Sequence, residues 1–244
     1  MDNFGEYSWA IRSSECDSKG VATLSAILNL LQEAASINAE ELGFSKTNFE
    51  ALGENISWVL TRLKINMTSY PRWGEKIKIV TWPRGGRKII ANRDFEIYSS
   101  SGKKLGVATT EWMIIDLGAR KIVAIPEAVF MLVNDVRTPV FGDMAYSKFK
   151  WEIHGKVLQF PVVAARSDID LNAHVNNVRY SEWIFNSLPL ELENCREFEI
   201  AFKQETRIGE SLMCESYEVE KGEFIHRIVS QIDGKEKVVA RSIF

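Results

Sequence analysis

The sequence predicts an α+β chain in which one plan, a long helix covered by an antiparallel sheet, is used twice. Three observations predict it. A stretch with helical apolar spacing is followed by runs of β-branched and aromatic residues; the same order returns after residue 165; and short segments of the two halves match in register.

From Val21 to Leu42 the apolar residues Leu24, Ile27, Leu28, Leu31, Ala34, Ala35 and Ile37 recur at spacings of three and four, with Gly43 as a C-terminal stop. This predicts a long amphipathic or buried helix. Strands are expected at Trp58 to Met67, Lys76 to Trp82, Arg93 to Tyr98 and Val107 to Asp116. Turn signals separate them at Tyr70-Pro71, Pro83-Arg84-Gly85-Gly86 and Ser99-Ser100-Ser101-Gly102.

In the second half, Asp170 to His174 lead into a shorter helix, Val175 to Leu188, stopped by Pro189. Strands follow at Arg196 to Gln204, Ser211 to Glu220, Phe224 to Ile232 and Lys237 to Phe244. Arg12-Ser13 precedes the first helix as Arg166-Ser167 precedes the second, Arg72-Trp73-Gly74-Glu75 resembles Arg207-Ile208-Gly209-Glu210, and Ser101-Gly102-Lys103 resembles Asp233-Gly234-Lys235. A long helix wrapped by an antiparallel sheet is the hotdog fold, so the expected architecture is a tandem (double) hotdog: residues 1–130, a connector 131–155, and residues 156–244. The connector lacks a clean period, and its Val129, Phe130, Met131 and Leu132 need cover, which predicts packing on the surface of a unit.

Composition sets limits on function. With 45% hydrophobic and 26% charged residues over 244 positions, the chain is globular rather than disordered. A net charge of −3 supplies no field to hold it on nucleic acid or an anionic membrane. Cys16, Cys195 and Cys214 fit neither a disulfide framework nor a zinc pattern, and are expected as reduced thiols in a cytoplasmic protein. The N-terminal residues have neither a signal-peptide nor a transit-peptide composition, and no apolar run is long enough to span a bilayer, so the chain is expected to stay where it is made. No ligand spacing calls for a metal or redox cofactor.

Of three histidines, His154 lies in the connector and His226 in an apolar strand, where surface or satisfied core positions are the ordinary reading. His174 differs. Asp168, Asp170, Asn172, Asn176 and Asn177 crowd around it at a helix start. Asp and Asn are ordinary cap and turn residues, but one cap needs one short polar side chain, and the matching segment of the first half starts its helix without a histidine. A helix start also offers backbone N–H groups to an oxyanion forming on a thioester carbonyl. Asn172 and His174 are candidate side-chain donors there, and Asp170 a candidate acceptor fixing a ring or a water.

The run Asp170-Leu171-Asn172-Ala173-His174-Val175-Asn176-Asn177-Val178-Arg179-Tyr180, with Trp183 and Pro189, closely resembles the C-terminal signature of acyl-ACP thioesterases of the plant and bacterial fatty-acid type. Trp58-Val59-Leu60-Thr61-Arg62 and Thr81-Trp82-Pro83 extend the resemblance over nearly the whole chain. It implies a catalytic set of Asp170, Asn172, His174 and, on a following strand, Glu205. Where the plant pattern often has a cysteine beside the glutamate, this chain has Thr206, which leaves carboxylate-assisted attack by water, or by Glu205 itself. The first half carries Tyr70 where the second has Glu205, so one half is expected to react and the other to form the acyl pocket, the role that the family assigns it.

The expected reaction is hydrolysis of a fatty acyl-ACP thioester. Glu205 acts as general base on water; Asn172, His174 and backbone N–H groups meet the carbonyl; Asp170 orients the assembly. Acyl-CoA hydrolysis, a hotdog hydratase or dehydratase, and a non-catalytic acyl-ACP binding module are the alternatives. Trp58, Asn176 and Asn177 are candidate substrate contacts. The implied partner is an acidic acyl carrier protein with its phosphopantetheine arm, met by Arg84, Arg87 and Lys88 or by Lys203 and Arg207. Two hotdogs in one chain are compatible with a monomer or a homodimer.

Overall fold

The computed structural model describes residues 3–133, 137–142, 146–147, 151–152, 155–170, 174–189 and 194–244. The chain divides into two compact units, residues 1–145 and 146–244.

The first unit opens with strand β1 (Gly5–Ala10) and a short 3-10 turn at Ser13–Glu15. Helix α1 (Leu24–Glu41) follows. It starts with the apolar period at Leu24 and not at Val21, because Val21 and Ala22 engage their backbone groups elsewhere: Val21 O accepts from Asp17 N–H at 2.8 Å and Ala22 N–H donates to Pro71 O at 2.9 Å. Thr23 then caps the helix, its side chain accepting from Ala26 N–H, and Gly43 ends it at φ 81°. Ile27, Leu31 and Ala34 are almost fully buried, and each large apolar side chain so placed contributes about 1.5–3 kcal/mol. Helix α2 (Lys46–Ala51) lies on strand β2 (Ile56–Met67).

Strands β3 (Lys76–Arg87), β4 (Ile90–Ser99) and β5 (Lys104–Asp116) complete an antiparallel sheet in the order β1-β3-β4-β5-β2, with β6 (Lys121–Val123) on the end of β5. Helix α1 rests against β1 and β3. The expected turn at Pro83-Arg84-Gly85-Gly86 is instead strand. β1 reaches only as far as Thr81, so Pro83 breaks no ladder on that side, and a bulge between Pro83 and Gly85 absorbs the glycines. At Gly86, φ 152°, an added Cβ would lie 2.0 Å from Ile90 O, and the reversal itself falls at Lys88, φ 47°.

The stretch expected to be featureless begins with helix α3 (Glu127–Phe130). Val129 is buried as expected, whereas Met131 is exposed. Beyond it Arg137 stacks over the rings of Phe4 and Trp82, 4.6 and 4.8 Å from their centroids, and pairs with Glu96 at 3.2 Å. Val140 N–H donates to the buried carboxylate of Asp94 at 3.1 Å.

The second unit contains β7 (Leu158–Val163), a 3-10 turn at Arg166–Asp168, helix α4 (Asn177–Asn186) and strands β8 (Glu197–Phe202), β9 (Ser211–Glu220), β10 (Glu223–Ser230) and β11 (Glu236–Ile243). Its sheet runs β8-β11-β10-β9-β7, all antiparallel, and α4 lies against β7, β9 and β10. Each unit is a helix wrapped by an antiparallel sheet, so the fold is the tandem hotdog. No helix among the described residues is long and apolar enough to cross a membrane.

Candidate active site

The turn that carries His174 is built by backbone and carboxylate hydrogen bonds. Ala165 N–H donates to Asp168 Oδ2 at 2.8 Å. Asp170 N–H donates to His174 O at 2.8 Å, and His174 N–H faces Asp170 Oδ1 at 3.4 Å. Val175 N–H donates to Thr206 O, tying the turn to the segment after β8, and Asn176 N–H donates to Asp168 O. The side chain of Asn176 caps α4 by accepting from Val178 N–H at 2.9 Å. Asp168, Asp170 and Asn176 thus all have work within the turn, so the crowding of polar residues there is less of a surplus than the sequence suggests.

These bonds bring His174 onto Glu205. His174 Nε2 lies 2.8 Å from Glu205 Oε2, and the two side chains are 29% and 34% exposed, close to each other and open to solvent. Glu205 Oε1 accepts from Arg207 Nη2 at 3.3 Å. Its backbone carbonyl accepts from Lys237 Nζ at 3.0 Å, and Lys237 also pairs with Glu210 at 2.6 Å. A neutral histidine that donates Nε2–H to this carboxylate keeps an acceptor at Nδ1, and a protonated one donates from both nitrogens. Such a pair can take up a proton from water and hand it on.

The first unit carries the same turn without the pair. Asp17 N–H donates to Val21 O at 2.8 Å and Val21 N–H donates to Asp17 Oδ1 at 2.9 Å, while Ala22 N–H donates to Pro71 O. Asp17 therefore matches Asp170, Val21 matches His174, Pro71 matches Thr206 and Tyr70 matches Glu205. The 3-10 turns also align, with Arg12 N–H on Glu15 Oε2 as Ala165 N–H is on Asp168 Oδ2. This corrects the expected register by one residue: Arg12-Ser13 corresponds to Ala165-Arg166, not to Arg166-Ser167.

Asn172 lies outside the described residues, as does His154. Asn177 is the first residue of α4 and half-buried. Trp58 belongs to the first unit, where its ring packs near Phe49 in a cluster with Ala91, Ile114 and Ile125, and its indole N–H donates to Phe44 O at 2.7 Å. His226 is a core histidine, held between Ser216 and Ser242 hydroxyls at 2.7 and 2.8 Å. Arg84 does not belong to an open basic turn: its Nε lies 3.1 Å from Asp94 Oδ1 and it is largely buried, whereas Arg87 and Lys88 are exposed. Burial pushes the Cys195 and Cys214 thiols up to about 12, which removes them as nucleophiles at neutral pH. Among the described residues no group of three or more His, Cys, Asp or Glu side chains is arranged to hold a metal ion.

Residues 3–133 match the model of the acyl-ACP thioesterase N-terminal domain, and residues 154–244 that of the acyl-ACP thioesterase C-terminal domain. The chain belongs to the acyl-ACP thioesterase family. Among solved structures, this thioesterase-family chain resembles an acyl-ACP thioesterase from Bacteroides thetaiotaomicron at 26% identity and a TM-score of 0.86, over 99% of this chain and 98% of that one. The 12:0-ACP thioesterase from Umbellularia californica shares the fold, with a TM-score of 0.87 at 21% identity, over 100% of this chain and 97% of that one. The chloroplastic oleoyl-acyl carrier protein thioesterase 1 of Arabidopsis thaliana is 29% identical over 79% of this chain and 57% of its own length. The chloroplastic palmitoyl-acyl carrier protein thioesterase of Gossypium hirsutum is 30% identical over 78% of this chain and 48% of its own. The chain spans about half the length of the curated relatives it matches.

In this member of the thioesterase family the residue that the sequence reading passed over is Lys237. It reads as a surface lysine at a strand start, but only 8% of its side chain is exposed. The signal that finds it is its register with Leu105 of the first unit.

Proposed function

We propose that this chain hydrolyses fatty acyl-ACP thioesters to a free fatty acid and ACP. The 2.8 Å contact between His174 Nε2 and Glu205 Oε2 carries the reading, because it joins the two parts of the family's signature that lie far apart in sequence. Water is deprotonated by Glu205 as its oxygen bonds to the acyl carbonyl carbon; the oxyanion is stabilised by His174, Asn172 and backbone N–H groups. The C–S bond then breaks, and the proton held by the pair passes to the departing phosphopantetheine thiolate. Asp170 orients the turn, Asn176 and Asn177 are substrate contacts at the start of α4, and the first unit, with Trp58, takes the acyl chain.

Two further points support the reading. Thr206 is fully buried and occupies the place of a possible nucleophilic cysteine, so the reaction is left to a carboxylate and water. All three cysteines are thiols, which fits a reducing, cytoplasm-like compartment. The carrier protein's acidic surface is met beside the site by Arg207, whose side chain is 63% exposed.

The test is Glu205→Gln, which is isosteric and cannot take a proton. Loss of general base catalysis should lower thiol release from a long-chain acyl-ACP by about 10²–10⁴-fold with unchanged melting. Full activity in that variant overturns the role of Glu205. Release from acyl-CoA at equal efficiency, or a change at the double bond in place of thiol release, overturns the proposed substrate or reaction.

A further inference from the structure

Strand β11 begins where β8 ends, and the last paired residues are Val238 and Phe202. Just beyond this pair, one residue holds the chain that leads to Glu205. Lys237 O accepts from Lys203 N–H at 2.8 Å and from Gln204 N–H at 3.2 Å, and its Nζ donates to Glu205 O at 3.0 Å. Three successive residues are therefore fixed by a single lysine. The same ammonium lies 2.6 Å from Glu210 Oε1, and Glu210 Oε2 accepts from Arg207 N–H at 3.3 Å, so the loop 205–210 is closed from its far end too.

The first unit shows that the fold does not ask for this lysine. There Thr68 and Ser69 N–H donate to Leu105 O at 2.8 and 3.3 Å, and Arg72 N–H donates to Glu75 Oε2 at 2.8 Å, the same backbone frame residue for residue. At the place of Lys237 stands Leu105, buried and apolar, with no donor to offer Tyr70's carbonyl. Burying an ammonium is unfavourable unless its partners offset the lost hydration, and one partner's removal leaves the other's charge stranded. A cost that the sister loop avoids with leucine is accepted only in the loop that carries Glu205.

We infer that Lys237 is a positioning residue for the reaction: by gripping the Glu205 carbonyl and Glu210 it sets where the Glu205 carboxylate meets His174. This rests on the reading of Glu205 as the base. The lysine acts through Glu205, since its ammonium meets the Glu205 backbone carbonyl and Glu210.

The test compares Lys237→Met, Lys237→Arg and the double variant Lys237→Met with Glu210→Gln, which leaves no stranded carboxylate should the single variant fail to fold. A carboxylate displaced by about 1 Å costs up to about 100-fold, so kcat should fall by about 10- to 100-fold in a folded methionine variant while KM stays within about threefold. Arginine, which still donates to the carbonyl, should recover most of the loss. In a Glu205→Gln background, single-turnover rates should show no further loss from Lys237→Met. Unchanged kcat in a folded methionine or double variant, a loss confined to KM, no recovery with arginine, or losses that multiply with Glu205→Gln overturn the inference. Activity retained by Glu205→Gln alone overturns the proposed base instead, and the two failures are thereby told apart.

Discussion

The two turns at the starts of α1 and α4 have the same backbone and different chemistry. Asp17 and Asp170 each receive a returning N–H from four residues on, and each donates its own N–H to the carbonyl at that position. What the fold requires, both units keep. What differs sits on side chains that the turn does not need: Val21 against His174, Tyr70 against Glu205, Leu105 against Lys237. Structural obligation and function thus fall on different residues, and Asp170 shares the structural part: its contact with His174 N–H is the one Asp17 makes with Val21 N–H.

The largest effect should come from carrying the sister residue across. His174→Val reproduces the first unit's turn, so melting should shift little, while thiol release should fall by about 10²–10⁴-fold through loss of the partner to Glu205. A folded His174→Val protein with near-normal kcat would leave the pair without a role.

A smaller effect decides the standing of Asp170. Asn keeps an acceptor for the turn but removes the charge, so Asp170→Asn and Asp17→Asn should both fold. If Asp170 orients the reacting pair, its variant should lose about tenfold in kcat, the size of one charge-assisted hydrogen bond, while Asp17→Asn keeps full activity. Equal activity in the two variants would reduce Asp170 to a turn former.

Much of this was legible in the sequence, and the exceptions have physical causes. The spacing of Leu24, Ile27, Leu31 and Ala34 reads directly as a helix face, and the strands β2 and β5 are rich in β-branched residues. β1 and β7 escaped notice because both are edge strands, six residues each, with alternate residues exposed; β7 even contains Pro161, which only an edge tolerates. Pro83 to Gly86 read as a turn because glycine and proline serve turns and bulges alike, and only the partner strand decides between them. The string from Asp170 to Asn177 announced a site, and the resemblance to acyl-ACP thioesterases implied Glu205 as its partner. Lys237 stayed hidden because its charge says surface, and only its register with the apolar Leu105 of the first unit says otherwise.

The last prediction concerns a core position where the units also part. His226 stands opposite Ala240 and Ser216 as Phe95 stands opposite Ala108 and Thr81, so a titratable ring replaces an apolar one in the second core. Burial holds His226 neutral, with its pKa lowered to about 3, far below an ordinary imidazole near 6.5. The unfolded chain therefore binds a proton that the folded chain refuses. This contribution to stability is fully present above about pH 6.5 and is lost as pH falls toward 3, at up to about 1.4 kcal/mol per pH unit. His226→Gln can still bridge the Ser216 and Ser242 hydroxyls and does not titrate, so denaturant unfolding between pH 7 and about 4 should show a shallower loss of stability in the variant than in the parent. Parallel slopes would mean that the acid sensitivity of the second unit arises from groups other than His226.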